Sequence, residues 1–332
     1  ACVRAVRMAL DTPFDEALAK EREIFIELMN GDQSKAQRHL FFAEREANKI
    51  PGIDRDVRPR KVSKAAVIGA GTMGGGIAMA LANGGVPVTI LEMNQEAIDR
   101  GMAVIQRNYD TSVKRGSISA EERDRRLGRL STTTDYNDIA DADLVIEAVF
   151  EEMSVKKVVF GKLDEVMKPG AILASNTSYL DVDDIAQMTK RPADVLGMHF
   201  FSPANVMKLL EIVRGKETAP DVIATALALG KQIGKVPVVV GVCPGFVGNR
   251  MLSSRSAENE SLLLEGASPA DVDKAFLDFG FSMGPFAMGD LAGLDIGWRT
   301  RKSLGQTAAI GDALCEAGRF GQKTGKGFYS YE

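Results

Sequence analysis

Histidine is nearly missing from this chain: two occur in 332 residues. Cysteine is almost as scarce. Cys2, Cys243 and Cys315 are odd in number and scattered, which excludes a disulfide framework and zinc-ligand spacing and points to a reducing compartment. Cys243 stands before Pro244 in a turn and reads as a small buried residue, not a nucleophile. No cluster of ligating side chains is visible, so no metal is expected. No apolar run approaches the roughly 20 residues that span a bilayer, and no signal peptide is expected. Charge of one sign is also lacking: the net charge of −4 gives no global attraction for nucleic acid or an anionic membrane. What remains, 45% hydrophobic and 26% charged residues, is the composition of an ordinary globular protein, and the length suits two domains.

The first 48 residues are helical in character, with Phe14–Met29 and Lys35–Asn48 carrying apolar side chains at three- and four-residue spacing. Residues 49–64 read as a linker, with two prolines, a glycine and dense charge. Short apolar runs then alternate with helical stretches. Ala65–Gly69, Val86–Glu92, Leu144–Ala148, Ala171–Ser175, Val195–Phe200, Leu209–Val213 and Val236–Val240 are the expected strands. That alternation predicts an α/β, doubly wound, mostly parallel sheet over residues 65–244. Between Glu92 and Ser131 the spacing predicts two helices broken near Gly116, rich in basic side chains (Arg107, Lys114, Arg115, Arg123, Arg125, Arg126 and Arg129). They make either a solvated hairpin or a phosphate-binding rim for a bulky anion. Residues 245–332 read as a second, all-α domain, with helices over Phe246–Glu265, Pro269–Phe279 and Leu294–Ala317.

Ala65–Gly76, AAVIGAGTMGGG, holds G-x-G-x-x-G at Gly69, Gly71 and Gly74, between an apolar strand and the helix Met73–Asn83. Glycines at this spacing make a tight turn and let the backbone, including Thr72 and Met73, approach a pyrophosphate at the helix N-terminus. The next strand ends in Glu92, near the expected spacing of about 20 residues for an acid on the ribose hydroxyls. Met93 and Asn94 follow, not arginine, which favours NAD over NADP.

In GMHFFSPANVMKLLEIV (197–213) the second histidine, His199, is followed by one carboxylate, Glu211, inside an apolar run. A charge there is costly unless paired. The two make either a structural hydrogen bond or a general base oriented by a fixed anion. SNTSYL (175–180) follows a strand and puts Asn176 and Ser178 on a carboxyl-end loop, the edge where open α/β sheets bind ligands. PGFVGNRM (244–251) puts Asn249 in the first turn of a helix.

The series GAGTMG, SNTSYL, GMHFFSPANVMKLLEIV and CPGFVGNRM, in this order, closely resembles the L-3-hydroxyacyl-CoA dehydrogenase family from about Lys64 onward. The resemblance implies a Rossmann-type NAD-binding domain with a helical C-terminal domain. It also implies NAD-dependent oxidation of (S)-3-hydroxyacyl-CoA to 3-oxoacyl-CoA in fatty acid β-oxidation. By motif position His199 matches the catalytic base and Glu211 its partner, while Ser178 and Asn249 match the substrate-orienting pair. In EAVFEEMSVK, Glu151 and Lys156 match residues beside the nicotinamide ribose. Ser202 stands where many single-function members have asparagine; FFSP is familiar from multifunctional β-oxidation enzymes.

Residues 1–48 resemble the last helices of an enoyl-CoA hydratase/isomerase domain, so the chain resembles a piece of a bifunctional enzyme. The hydratase active site is then expected upstream of Ala1, and no hydratase activity is expected here. The implied partners are an acyl-CoA substrate and either a second copy, docked through the C-terminal helical domain, or the missing domains of a longer chain. The implied setting is cytoplasmic for a bacterial source and peroxisomal for a eukaryotic one. Two rival readings stay open: another two-domain hydroxyacid dehydrogenase, and a catalytically silent NAD-binding relative.

Overall fold

A computed structural model of the chain describes residues 1–50, 52–54, 56–303 and 305–331, with the backbone alone at 303. Two compact units divide it, Ala1–Phe246 and Val247–Glu332.

The first unit begins with α1 (Cys2–Asp11), α2 (Phe14–Asn30) and α3 (Asp32–Glu46). The break between α1 and α2 follows from Thr12–Pro13, because a residue before proline is driven out of the helical region; Thr12 is extended, at φ −133° and ψ 142°. The rest is β1 (Ala65–Ile68), α4 (Thr72–Asn83), β2 (Val88–Leu91), α5 (Gln95–Lys114), α6 (Ala120–Leu127), β3 (Leu130–Thr133), β4 (Leu144–Glu147), α7 (Met153–Val166), β5 (Ile172–Ser175), α8 (Val182–Ala186), β6 (Val195–Phe200), β7 (Leu209–Arg214), α9 (Pro220–Gln232) and β8 (Val236–Gly241).

Among the described residues the strands form one eight-stranded sheet in the order β3-β2-β1-β4-β5-β6-β7-β8. Every neighbouring pair is parallel except β6–β7. Successive side chains of a strand point to opposite faces, and both faces are covered. Ala65, Val67, Leu144, Ile146, Leu196 and Met198 join Ile77 and Leu81 of α4 and Ile223 of α9 in one core. Ala66, Ile68, Val145 and Leu173 join Phe160 and Leu163 of α7 and Ile185 of α8 in the other. The fold is therefore doubly wound.

Helix α4 shows what holds the carboxyl edge of β1. Its glycines at 74, 75 and 76 each cost about 1 kcal/mol of helix propensity. Burial outweighs that: Ile77, Met79 and Leu81 are at most 2% exposed, and each such side chain contributes about 1.5–3 kcal/mol.

The eighth strand, β3, was not among the expected ones. Its sequence, LSTT, lies at the sheet edge with Ser131 and Thr132 exposed, so no apolar run announces it. The predicted hairpin is present as α5 and α6, with Ser119 capping α6 through the Glu122 amide.

The second unit holds α10 (Gly248–Leu264), α11 (Pro269–Phe279), α12 (Pro285–Ala292), α13 (Leu294–Ser303) and α14 (Ala309–Glu316). One helix was expected over Leu294–Ala317; two are found. Gly305 takes φ +65°, a conformation that ends a helix, and Arg301 then bridges the break to Asp312 at 2.6 Å. Two buried carboxylates tie down the end of the unit. Asp290 accepts from the Phe328 and Tyr329 amides and the Tyr331 hydroxyl, and Asp273 from the Phe286 and Ala287 amides and the Tyr329 hydroxyl.

Candidate active site

The antiparallel pairing of β6 with β7 sets His199 directly opposite Glu211. Twelve positions apart in sequence, they meet with Nδ1 and Oε2 2.7 Å apart. Both are buried, at 3% and 1% exposure. An ionised Glu211 requires the proton on Nδ1 and leaves Nε2 as the lone-pair nitrogen. The imidazole also lies against two rings, Phe201 at 4.5 Å and Phe246 at 5.6 Å between centroids. Phe246 holds φ +46°, a left-handed conformation that costs a non-glycine residue about 1–2 kcal/mol.

At the carboxyl end of β1 the glycine turn is closely fitted. A Cβ on Gly74 would lie 1.9 Å from the Gly69 carbonyl oxygen, and one on Gly69, at φ +105°, would lie 2.7 Å from that of Ala148. A Cβ on Gly71 would meet nothing within 4 Å. The turn is thus closed at 74 by its own Gly69 and at 69 by Ala148, and opens outward at 71, before the α4 N-terminus that carries Thr72 and Met73. Glu92 closes the cradle: its carboxylate accepts from the Ala70 amide at 3.1 Å and the Met93 amide at 2.7 Å. A cavity of about 320 Å³ opens here, lined in part by Gly71, Thr72, Glu92, Arg100, Asn108 and Asn205. These residues fit a dinucleotide: open space at helix amides for the phosphates, and an acid beside it for ribose hydroxyls.

At the carboxyl ends of β4 and β5 lies a third group. Glu147, fully buried, accepts from Lys156 Nζ at 2.6 Å, Ser175 Oγ at 2.8 Å and the Val149 amide at 2.7 Å. Lys156 is itself 1% exposed, and Glu151 Oε2 is 3.6 Å from its Nζ. Asn176 Oδ1 accepts from the Phe200 amide at 2.8 Å, linking the ends of β5 and β6. Ser178 is half-buried. Burial, and then the Glu151 carboxylate, push the neighbouring Tyr179 hydroxyl above the usual phenol range.

His199, Glu211, Asn176, Ser178, Glu151, Lys156, Glu92 and the glycine turn all belong to the first unit, and most lie along the carboxyl edge of its parallel strands. Asn249 belongs to the second unit, half-buried in the first turn of α10. The basic hairpin divides. Arg123 pairs with Asp110 of α5, Arg126 donates to Asn83 of α4, and Arg129 donates to the Ala82 carbonyl, fastening α6 and the turn after it to their neighbours. Arg107 and Lys114 of α5, and Arg115 just after it, make no ion pair among the described residues.

Two functional candidates escaped the sequence. One is Glu147, whose signal is a lone charge closing the apolar run LVIE. The other is Lys235, which donates to the Ala204 and Met207 carbonyls at 2.6 and 2.7 Å. It thereby holds the loop joining the His199 and Glu211 strands. Burial lowers its ammonium below the usual lysine range.

A cradle for a dinucleotide at one strand end and an oriented proton acceptor at another suit the removal of hydride and proton from one alcohol. The class is that of the NAD-dependent dehydrogenases. Within it, the model of the 3-hydroxyacyl-CoA dehydrogenase NAD binding domain matches residues 64–243, and that of the family's C-terminal domain matches residues 245–331. The chain belongs to the 3-hydroxyacyl-CoA dehydrogenase family. It is 46% identical over its whole length to the peroxisomal bifunctional enzyme of Danio rerio, of which it covers 48%. The chain therefore spans about half the length of such curated relatives. Among solved structures it is similar to the (S)-3-hydroxybutyryl-CoA dehydrogenase PaaH1 of Ralstonia eutropha, with TM-score 0.77 and 34% identity over 82% of this chain and 100% of that one. It is likewise similar to the 3-hydroxybutyryl-CoA dehydrogenase of Escherichia coli K12, with TM-score 0.77 and 38% identity over 82% of this chain and 60% of that one.

Proposed function

We propose that the chain oxidises an (S)-3-hydroxyacyl-CoA to the 3-oxoacyl-CoA as a step of fatty acid β-oxidation, with His199 as the base. The observation that carries this reading is the buried 2.7 Å contact between His199 and Glu211. His199 Nε2 takes the proton of the 3-hydroxyl as the carbonyl forms, and Glu211 stabilises the imidazolium. Bound NAD supplies the acceptor for the hydride leaving C3. Gly69, Gly71, Thr72, Met73, Gly74 and Glu92 hold its phosphates and ribose, while Asn176, Glu151 and Lys156 stand on the nicotinamide side. Ser178 orients the substrate oxygens, and motif position alone gives Asn249 the same role. Two features support these assignments: the glycine turn opens only at Gly71, and the Ser178 loop follows the strand next to that of His199.

The domain plan proposed is a helical hydratase-domain remnant over 1–48, a linker over 49–64, the NAD-binding domain over 65–244 and the helical domain over 245–332. The peroxisomal name of the curated relative favours a peroxisomal setting over a bacterial cytoplasm. Exposed Met251, Leu264, Phe279 and Ile296 favour a second copy docked on the helical domain; a monomer by light scattering at high concentration would count against it.

The deciding experiment is NADH-linked reduction of acetoacetyl-CoA by the parent chain and by His199→Ala. The variant should lose about 10²–10⁴-fold in kcat, the usual worth of a general acid–base group, while still binding NADH. An inactive parent that binds NADH would favour the silent NAD-binding reading instead.

A further inference from the structure

Between Ser175 and Leu180 the chain belongs to no strand or helix, so its amides need partners outside any ladder. Two of them, with one hydroxyl of the segment, find the same residue. Glu151 Oε1 accepts from the Thr177 hydroxyl at 2.6 Å, the Ser178 amide at 2.7 Å and the Tyr179 amide at 3.1 Å. Thr177 is fully buried, and its Oγ1 accepts in turn from the Leu180 amide at 2.9 Å. Three donors converge on Oε1, while the Lys156 ammonium lies 3.6 Å from Oε2 and the side chain stays 39% exposed.

Lys156 is anchored more firmly on its other side. Glu147 holds it at 2.6 Å with both partners out of water, and the same carboxylate takes the hydroxyl of Ser175, the residue from which the loop departs. The Ser175 oxygen accepts from the Thr177 amide at 3.2 Å. A chain of contacts thus runs from Glu147 through Lys156 to Glu151, and both of its ends grip one short segment. Among the described residues the Ser178 hydroxyl itself has no partner.

We propose that Glu151 is a positioning residue for Ser178: backed by the buried Lys156–Glu147 pair, it fixes the backbone of residues 177–179 and so sets where the Ser178 hydroxyl stands. The inference rests on the dehydrogenase reading, in which Ser178 orients the substrate. It is separate from a role for Glu151 as a ligand of the cofactor ribose, which would fall to Oε2, because the loop is held through Oε1. Charge-assisted hydrogen bonds are the strong ones, and three converge on one oxygen here. A displacement of about 1 Å in a positioning group can cost about 10²-fold in rate.

The test is a double-mutant cycle of Glu151→Ala and Ser178→Ala, measured as kcat and KM for acetoacetyl-CoA, with the Kd for NADH and amide exchange of segment 176–180 alongside. Glu151→Ala should lower kcat by about 30–100-fold. Exchange at 177–179 should speed up, and the loss in kcat should exceed any loss in NADH affinity. The double variant should be no slower than Ser178→Ala alone, since both changes remove one interaction. Glu151→Gln keeps an acceptor oxygen and should recover most of the loss; it also carries the cycle if the alanine variant folds poorly. Multiplicative effects in the cycle would overturn the proposal, as would a weakened NADH affinity with unchanged exchange. An inactive parent would overturn the dehydrogenase reading instead, and the exchange measurement would still decide whether Glu151 holds the loop.

Discussion

A charge in or beside an apolar strand is expensive, and three carboxylates of this chain stand in such places, each with a partner. Glu92 follows β2 and takes the amides of Ala70 and Met93. Glu147 closes β4 and takes an ammonium, a hydroxyl and an amide. Glu211 lies inside β7 and takes His199. Their chemistry differs because their partners do. Backbone amides leave Glu92 with spare acceptor capacity, which the proposed function gives to ribose hydroxyls; a lysine makes Glu147 a support; and in the same proposal the imidazole makes Glu211 the orienter of a base. Glu211→Gln keeps the size of the side chain and removes the charge that stabilises a protonated ring. We expect kcat for acetoacetyl-CoA reduction to fall by about 10²–10³-fold, with KM for NADH unchanged. A fall of less than threefold in steady-state kinetics would return the pair to a structural hydrogen bond. Of the three acids, Glu92 and Glu211 were legible in the sequence. The first stands at a set distance from a glycine turn, and the second shares a short apolar segment with a histidine. Glu147 was not, because its partners lie up to 28 positions away and no local spacing brings them together.

At the scale of elements, the glycine turn separates two effects that sequence alone merges. Gly74 and Gly71 belong to one fingerprint, yet their surroundings are opposite. At Gly74 the backbone of Gly69 leaves no room for a methyl group, so Gly74→Ala must push β1 away from α4. We expect a loss of about 3 kcal/mol or more in stability, the upper range for overpacking a core, read as a lowered Tm without cofactor. At Gly71 the dihedrals, φ −68° and ψ −172°, suit alanine and the space is open. Gly71→Ala should leave Tm unchanged and weaken NADH binding about tenfold, or about 1.4 kcal/mol, by titration of NADH fluorescence. Equal effects of the two variants on stability would contradict this division. The same scale explains where sequence reading fell short. Strands with both faces buried announce themselves as apolar runs, and all seven expected strands are present. An edge strand such as β3 has little to bury. The break between α13 and α14 depends on a glycine that could equally have stayed helical.

At the scale of the whole first unit, the segment read as a linker is fastened by one arginine to α9 and to the segments that precede β5 and β6. Arg60 contacts Asp221 of α9 at 2.7 Å, Asp194 before β6 at 2.6 Å and the Gly170 carbonyl at 3.0 Å, while its own amide donates to Thr225. Prolines, a glycine and dense charge mark residues 49–64 as a linker in sequence, but a guanidinium can satisfy several distant acceptors at once, and here it joins segments 110 to 161 positions away. The hydrogen bond to Arg60, opposed in part by burial, holds the Asp221 carboxyl below its ordinary range. A carboxylate with a lowered folded-state pKa adds stability above its unfolded value of about 3.9, and loses it as pH falls through the folded one. The groups are a quarter to two-fifths exposed, so solvent screening limits the pair to about 1 kcal/mol, or about 2–4 °C in Tm. Arg60→Ala should therefore melt lower than the parent by that amount at pH 7, and the gap should narrow as the buffer is taken from pH 5 towards pH 3. A gap that stayed constant over that range would mean that Arg60 acts through its contact with the Gly170 carbonyl and its packing, not through the carboxylates.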